Sequence, residues 1–295
     1  MTLRKSDEYL SGASDPLALP VARLVYQGAE PDWQQSQLTF ADQSQLDRAF
    51  ELGVFHLAVP VGIDLEAARA FGRSLLSPKS PMRHVPIYGE LEGFIALDNN
   101  QQTKLALRRE RWDRHYPADI AHVGRQLDGI GIAIMREVLR QSGIPEQLWR
   151  DASGGYVTGE GTAFLNFAHY DTRSPALGLR PHTDYGFVTI LDATAPGLQI
   201  LMNGDFVDVP VLANHFVINF GEALSYVTQH ANRSVGAVVH QVLRQKDSDP
   251  TRHSIVYFAN PDLDGSLWQF SVDGEIKGSS SVEGLFAHLE NRLTQ

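Results

Sequence analysis

Apolar residues in the first half of the chain recur at helical spacing. Leu46, Ala49 and Phe50 share one face of a helix that Asp42 caps and Gly53 ends. A carboxylate at the N-cap accepts the first free amide hydrogens, and glycine accepts the left-handed turn at the other end. Val54 to Val59 reads as a buried strand, and Val21 to Tyr26 as a short one. Ile63 to Leu76 is a second amphipathic helix, and Ser77 to Asp98, with Pro and Gly throughout, reads as a long loop. The longest helical pattern runs from Asp119 to Gln141, with Ile120, Val123, Leu127, Ile130, Ile134, Val138 and Leu139 on its apolar side. Gly143 and Pro145 stop it, and Gly129 and Gly131 within it point to close packing against a neighbour.

The pattern changes after about Gly154. Short runs rich in Val, Ile, Phe and Tyr follow, cut by Gly, Pro, Asn and Asp: Thr162–Tyr170, Gly186–Asp192, Gly197–Met202, Phe206–Pro210, Phe216–Phe220, Gly236–Arg244 and Arg252–Phe258. Asn203-Gly204 between two of them is a hairpin signal, and Glu222 to Thr228 a short helix. Closely spaced strands of this kind predict a β-sandwich or jelly-roll barrel. The expected organisation is a helical or mixed region over 1–153 packed on a mainly β domain over 154–295.

Composition narrows the chemistry. The 295 residues include 11 His and no Cys, so thiolate metal sites, disulfides and Cys nucleophiles are absent. Any metal must sit on His, carboxylates and water. With 25 Lys and Arg against 35 Asp and Glu, the net charge is −10, and no basic run favours nucleic acid. No stretch approaches the length of a membrane span. The opening MTLRKSDEYLSGASD lacks the apolar core of a signal peptide, so a cytoplasmic protein is expected.

The sharpest local feature is Pro181-His182-Thr183-Asp184-Tyr185-Gly186. In an extended segment, His182 and Asp184 point to one face, since strand side chains alternate. They read either as two metal ligands or as a hydrogen-bonded His–Asp couple. His240, in Val238-Val239-His240-Gln241-Val242, reads as the third ligand or as a core histidine. Two His and one carboxylate make the facial triad of a non-haem Fe(II) site, which leaves coordination positions open. Downstream, Arg252 and Ser254 share a strand face and offer a guanidinium fork plus a hydroxyl to a carboxylate, with His253 pointing away. Arg108, Arg109, Arg111 and Arg114 cluster before the long helix. They read as a solvated charged face, with a hold on a substrate carboxylate as the alternative.

In this order, His182-x-Asp184, His240, Arg252-x-Ser254, the chain resembles the isopenicillin N synthase-like family of non-haem Fe(II)/2-oxoglutarate-dependent oxygenases. The words His-Thr-Asp-Tyr-Gly-Phe-Val-Thr-Ile-Leu (182–191), Gly-Leu-Gln-Ile (197–200), Phe-Val-Ile-Asn-Phe-Gly-Glu-Ala-Leu (216–224) and Arg-His-Ser-Ile-Val-Tyr-Phe (252–258) carry the resemblance. It is specific over roughly 160–260 and loose elsewhere. Where the family has Tyr-Pro this chain has Tyr170-Asp171, and where it has His-Arg-Val this chain has His240-Gln241-Val242. The resemblance implies a distorted double-stranded β-helix (jelly-roll) barrel with flanking helices. It implies Fe(II) on His182, Asp184 and His240, and 2-oxoglutarate held at its distal carboxylate by Arg252 and Ser254, with Tyr170 assisting. O2 is the co-reactant, and the reaction is oxidation of a C–H bond of a small molecule in specialised metabolism, by hydroxylation, desaturation or cyclisation. Two other readings stand beside it: an Fe(II) oxidase that uses no 2-oxoglutarate, and a non-redox metal enzyme on the same barrel. The substrate and the oligomeric state are left open.

Overall fold

The structure is a computed structural model that describes residues 18–26, 36–75, 80–89, 92–96, 100–247 and 251–293. The segment read for a signal peptide, Leu76 and parts of the 77–98 stretch lie outside the described residues. Among the described residues, fifteen strands and seven α-helices follow in chain order. The first part holds β1 (Val21–Val25), β2 (Gln37–Phe40), α1 (Gln43–Leu52), β3 (Val54–Ala58), α2 (Leu65–Ser74), β4 (Gly93–Ala96), β5 (Gln102–Arg108), α3 (Arg109–His115), α4 (Ala118–Gln141) and α5 (Trp149–Ala152). The second holds β6 (Thr162–Tyr170), β7 (Leu179–His182), β8 (Val188–Ala193), β9 (Leu198–Met202), β10 (Asp205–Asp208), β11 (His215–Phe220) and α6 (Glu222–Thr228). It ends with β12 (His240–Val242), β13 (His253–Asn260), β14 (Ser266–Phe270), β15 (Ile276–Ser281) and α7 (Val282–Leu293).

A nine-stranded sheet, in the order β2-β1-β3-β11-β8-β13-β6-β5-β4, faces a four-stranded sheet, β10-β9-β12-β7. Two cores result. Leu198, Ile200 and Val242 of the small sheet pack against Ala168, Tyr170, Leu191 and Val217 of the large one. On its other face the large sheet packs Leu165, Phe167, Ile218, Ile255 and Tyr257 with Ala68 of α2 and Ile130 and Ile134 of α4. This two-sided burial explains why β6 and β8 read as nearly continuous apolar runs.

Local signals act as the sequence suggests. The Asp42 carboxylate accepts the amide of Gln45 at 3.0 Å, and Gly53 closes α1 at φ 69°. Asn203 and Gly204, at φ 52° and 92°, make the β9–β10 hairpin. A Cβ on Gly131 would collide with the Tyr156 hydroxyl and stand 3.1 Å from the Tyr257 ring, so α4 lies close on β13.

Several expectations need correction. Before residue 154, β1 to β5 extend the large sheet on both edges, beyond the two strands expected there. The stretch read as a loop contains β4, and the strand expected over Gly236–Arg244 shrinks to His240–Val242. β2, β5, β7, β14 and β15 are strands beyond those expected; in β5 the reason is that its inward face carries Gln102, Lys104 and Arg108. Among the described residues, no helix is long and apolar enough to cross a membrane.

Candidate metal centre and its cavity

β7 and β12 are antiparallel neighbours, and His182 pairs directly with His240. Their rings lie 4.3 Å apart. Asp184 is not in a strand: β7 ends at His182, and Asp184 sits in the turn before β8. Backbone bonds from the start of α6 hold that turn, from the Glu222 amide to the Asp184 carbonyl (2.8 Å) and from the Ala223 amide to the Tyr185 carbonyl (3.0 Å). Gly186 and Gly221 allow this close crossing, since a Cβ on Gly221 would collide with the Gly186 carbonyl oxygen.

Each of the three side chains is tied back on one side and open on the other. His182 Nδ1 lies 2.8 Å from the Arg180 carbonyl, and His240 Nδ1 lies 3.1 Å from that of Val238. A carbonyl only accepts, so each Nδ1 carries the proton and each Nε2 presents a lone pair. Thr189 Oγ1 donates to Asp184 Oδ2 at 2.6 Å, which leaves Oδ1 free. Asp184 Oδ1 is 3.8 Å from both Nε2 atoms. That exceeds hydrogen-bond reach, about 3.2 Å, so these are not His–Asp couples. The three donor atoms all lie within 4.8 Å of one another, close enough for one ion. Burial and the neighbouring His240 push the His182 imidazole down to about 4, so it is neutral and ready to ligate near neutral pH. Two neutral imidazoles and one carboxylate suit a first-row divalent metal such as Fe(II).

Arg252 comes one residue before β13, and Ser254 is its second residue; both are buried. Arg252 Nη1 donates to the carbonyls of Ala195 and Pro196, and the guanidinium lies 5.3 Å from the Tyr170 ring. Its Nε and Nη2, and the Ser254 hydroxyl, have no partner. Unpartnered buried donors are costly and so point to a missing acceptor; a carboxylate fits. Tyr170 is buried, and Gln102 Nε2 reaches its hydroxyl at 3.4 Å. His253 does turn the other way, toward His169 on the outer surface.

Arg252, Tyr170, His182, Asp184 and His240 line one cavity of about 810 Å³, a size in the usual range for small-molecule sites. Leu179, Leu198, Val256, Phe258, Leu263 and Phe286 give it apolar walls. Of the Arg cluster, Arg114 is exposed as expected, but the other three turn to buried acids. Arg109 binds the buried Asp128 at 2.6 Å, and Arg111 and Arg108 share Glu92. Gln241 turns to Gln199, 2.8 Å away. The sequence reading missed Thr189, which aims Asp184, and the cavity-facing Lys104, Asn166 and Asn219. For Thr189 a signal existed: it stands five residues after Asp184 at the start of a readable strand.

The family model of the 2OG-Fe(II) oxygenase superfamily matches residues 160–261. Among curated relatives, 1-aminocyclopropane-1-carboxylate oxidase 3 of Arabidopsis thaliana is 42% identical over 92 residues, 30% of this chain and 27% of that protein. 1-Aminocyclopropane-1-carboxylate oxidase 5 of the same plant is 29% identical over 190 residues, 62% of this chain and 58% of that protein. The chain thus spans about a quarter of the length of the first relative and under three fifths of the second. Two solved structures are alike in fold. JOX2 in complex with 2OG, Fe and JA has a TM-score of 0.67 at 21% identity, over 83% of this chain and 80% of that one. The dioxygenase for auxin oxidation in rice has a TM-score of 0.68 at 18% identity, over 94% and 95%. Their fold confirms the double-stranded β-helix expected for the barrel.

Proposed function

We propose that the chain, whose residues 160–261 match the family model of the 2OG-Fe(II) oxygenase superfamily, is an Fe(II)/2-oxoglutarate-dependent dioxygenase oxidising a C–H bond of a small molecule. His182, Asp184 and His240 hold the iron. Arg252 and Ser254, with Tyr170 beside them, hold the distal carboxylate of 2-oxoglutarate. The observation that carries this reading is the pairing of two half-finished sites in one barrel: three converging lone pairs, and a buried guanidinium and hydroxyl with donors unspent.

When bound, iron, O2 and 2-oxoglutarate supply the oxidising power: 2-oxoglutarate and O2 become succinate and CO2, and one oxygen atom is left for the substrate. The chain's own groups position and protect. The Arg180 and Val238 carbonyls fix the imidazole tautomers, and Thr189 fixes the carboxylate. Arg252 sets the reach of the cosubstrate from the far side. The apolar walls keep water away from the reacting bond and hold the substrate in one pose. Hydroxylation, desaturation and ring closure share the first C–H cleavage and diverge only after it, so that pose selects among them.

A second reading has one observation in its favour, the likeness to proteins named as oxidases. In it, the Arg252 and Ser254 clamp takes a carboxylate of the substrate. The test is anaerobic loading with Fe(II) and 2-oxoglutarate, followed by O2. A metal-to-ligand absorption band, then succinate in step with O2 uptake, supports the dioxygenase. O2 uptake and product without succinate establishes the oxidase instead.

A further inference from the structure

Among the described residues, one cation that lines the cavity makes no ion pair. β5 runs beside β6 with Gln102 opposite Tyr170, Lys104 opposite Ala168 and Arg108 opposite Phe164. Residues 102, 104 and 108 share the inward face and line the cavity. The other charges there have roles of their own, though the single Glu92 carboxylate serves two guanidinium groups. Asp184 belongs to the metal centre. The buried Glu92 accepts from Arg111 Nε at 2.8 Å and lies 3.3 Å from Arg108 Nε. Arg252 faces the cosubstrate's distal end. Glu283 of α7 is exposed at the rim. Lys104 makes no hydrogen bond or ion pair among the described residues. Lys104 lines the same cavity as His182, Asp184 and His240.

An ammonium in such a place is poorly solvated. Burial lowers the Lys104 amine from its ordinary value. The cosubstrate does not supply the missing anion in the arrangement proposed above. One end of 2-oxoglutarate is on Arg252 and Ser254, and the other is on the metal. Leu, Val and Phe side chains make most of the remaining wall, with Asn166, Asn219 and Asn260 among them. Lys104 thus stands beside a largely apolar space. A single carboxylate on an apolar body matches both features.

We propose that Lys104 binds a carboxylate of the substrate to be oxidised, and that this substrate is an organic monoanion with an apolar body. The inference rests on the dioxygenase reading and deepens it. Lys104 acts as a specificity residue: it ranks acids above uncharged analogues by supplying a counter-charge that no described residue takes up. A charge-assisted hydrogen bond in an apolar site is strong, and losing its partner leaves the ammonium exposed to that site alone.

The test uses the full chain loaded anaerobically with Fe(II) and 2-oxoglutarate. Phenylacetate, cinnamate and octanoate, each beside its carboxamide, are titrated against the absorption band of the complex. Equilibrium binding is thus read apart from turnover. At least one acid is expected to bind at or below millimolar concentration, about tenfold or more tighter than its amide. Lys104→Met should abolish that preference through the acid's affinity, and Lys104→Arg should restore most of it. If Lys104→Met does not fold, Lys104→Gln reads the same difference. Three results overturn the inference: equal binding of acids and amides, no binding of any acid at millimolar concentration, or a Lys104→Met effect that falls on 2-oxoglutarate instead of the acid. A wild-type chain that forms no band with Fe(II) and 2-oxoglutarate is a separate failure. It overturns the dioxygenase reading, and the inference falls with it.

Discussion

The two faces of the large sheet treat polar groups in opposite ways. On the helix-covered face, buried acids are answered. Asp192 receives Arg69 through two bonds of 2.9 and 2.7 Å. Asp128 receives Arg109 at 2.6 Å and the Tyr257 hydroxyl at 2.5 Å, and Tyr257 bonds Tyr156 at 2.8 Å. On the cavity face, Arg252 Nε and Nη2, Ser254 Oγ, Asn166 Oδ1 and Asn219 Oδ1 have no partner among the described residues. Adjacent residues of β13 belong to the two regimes, since Tyr257 points to the helices and Val256 to the cavity. The same backbone therefore carries a finished polar network on one side and an unfinished one on the other. Buried polar groups cost free energy unless bonded, so the unfinished side implies ligands that complete it.

The largest expected effect is on the metal centre. His182→Ala or Asp184→Ala should reduce bound iron and succinate formation to background, while the thermal midpoint of the metal-free chain stays within a few degrees. Metal content and succinate, measured on the same preparations, check this. Iron retained at one equivalent in either variant would remove these residues from the ligand set.

Next comes a direct contrast between the two faces. Arg252→Met should raise the KM for 2-oxoglutarate by about 10–100-fold, because charged hydrogen bonds are worth roughly 1.5–3 kcal/mol. It should not destabilise the metal-free chain, since it removes a desolvated charge with unspent donors. Arg69→Met should do the reverse. It strands the buried Asp192 carboxylate and should cost about 3 kcal/mol, toward the low end for a buried pair because Arg69 is 28% exposed. Denaturant midpoints and 2-oxoglutarate kinetics on both variants make the comparison. A shared pattern in the two variants would erase the distinction drawn between the faces.

That contrast also explains what the sequence disclosed. The ligands were legible because His182-x-Asp184 is a short local pattern and His240 lies in a Val-rich run. The helix-face core was legible because α4 and β6 are apolar enough to show their period. β5 was not: Gln102, Lys104 and Arg108 replace the apolar inward face that would have marked it as a strand, since that face lines a cavity instead of a core. β7, with Arg180 and Pro181 beside its ligand, was hidden for a similar reason. Functional polarity thus concealed the strands that carry it. The fate of the Arg cluster was equally out of reach, because Glu92 and Asp128, which take up Arg111 and Arg109, are far from them in sequence or on another element.

Packing on the finished side predicts a smaller effect. Gly131→Ala places a methyl against the Tyr156 hydroxyl and the Tyr257 ring, and overpacking of this kind costs about 1–3 kcal/mol. Because Tyr257 and Val256 are neighbours in one strand, the variant also asks whether strain on the helix face crosses the sheet. The expected result is a lowered denaturant midpoint with the 2-oxoglutarate KM unchanged. A shift in KM comparable to that of Arg252→Met would show that the two faces are mechanically linked.

The smallest effect is one of pH, and it lies at the edge of the comparison. His169 and His253 sit outside the barrel, opposite each other on β6 and β13, with their Nδ1 atoms 3.4 Å apart. Burial, and then the charge of His253, hold the His169 imidazole down to about 4; Asp171 opposes this and Arg173 adds to it. The folded chain therefore keeps His169 neutral to about pH 4, while the unfolded chain takes up a proton near its ordinary value of 6.5. The unfolded state binds more protons in that window, so stability falls as the pH drops from about 6.5 toward 4. His182 is depressed by the same cause and contributes to the wild-type slope. Only the difference between wild type and His169→Gln reads His169. Urea midpoints at pH 7.5 and 5 should converge more closely in His169→Gln than in wild type, and an identical gap in the two proteins would show that His169 titrates alike in the folded and unfolded chains.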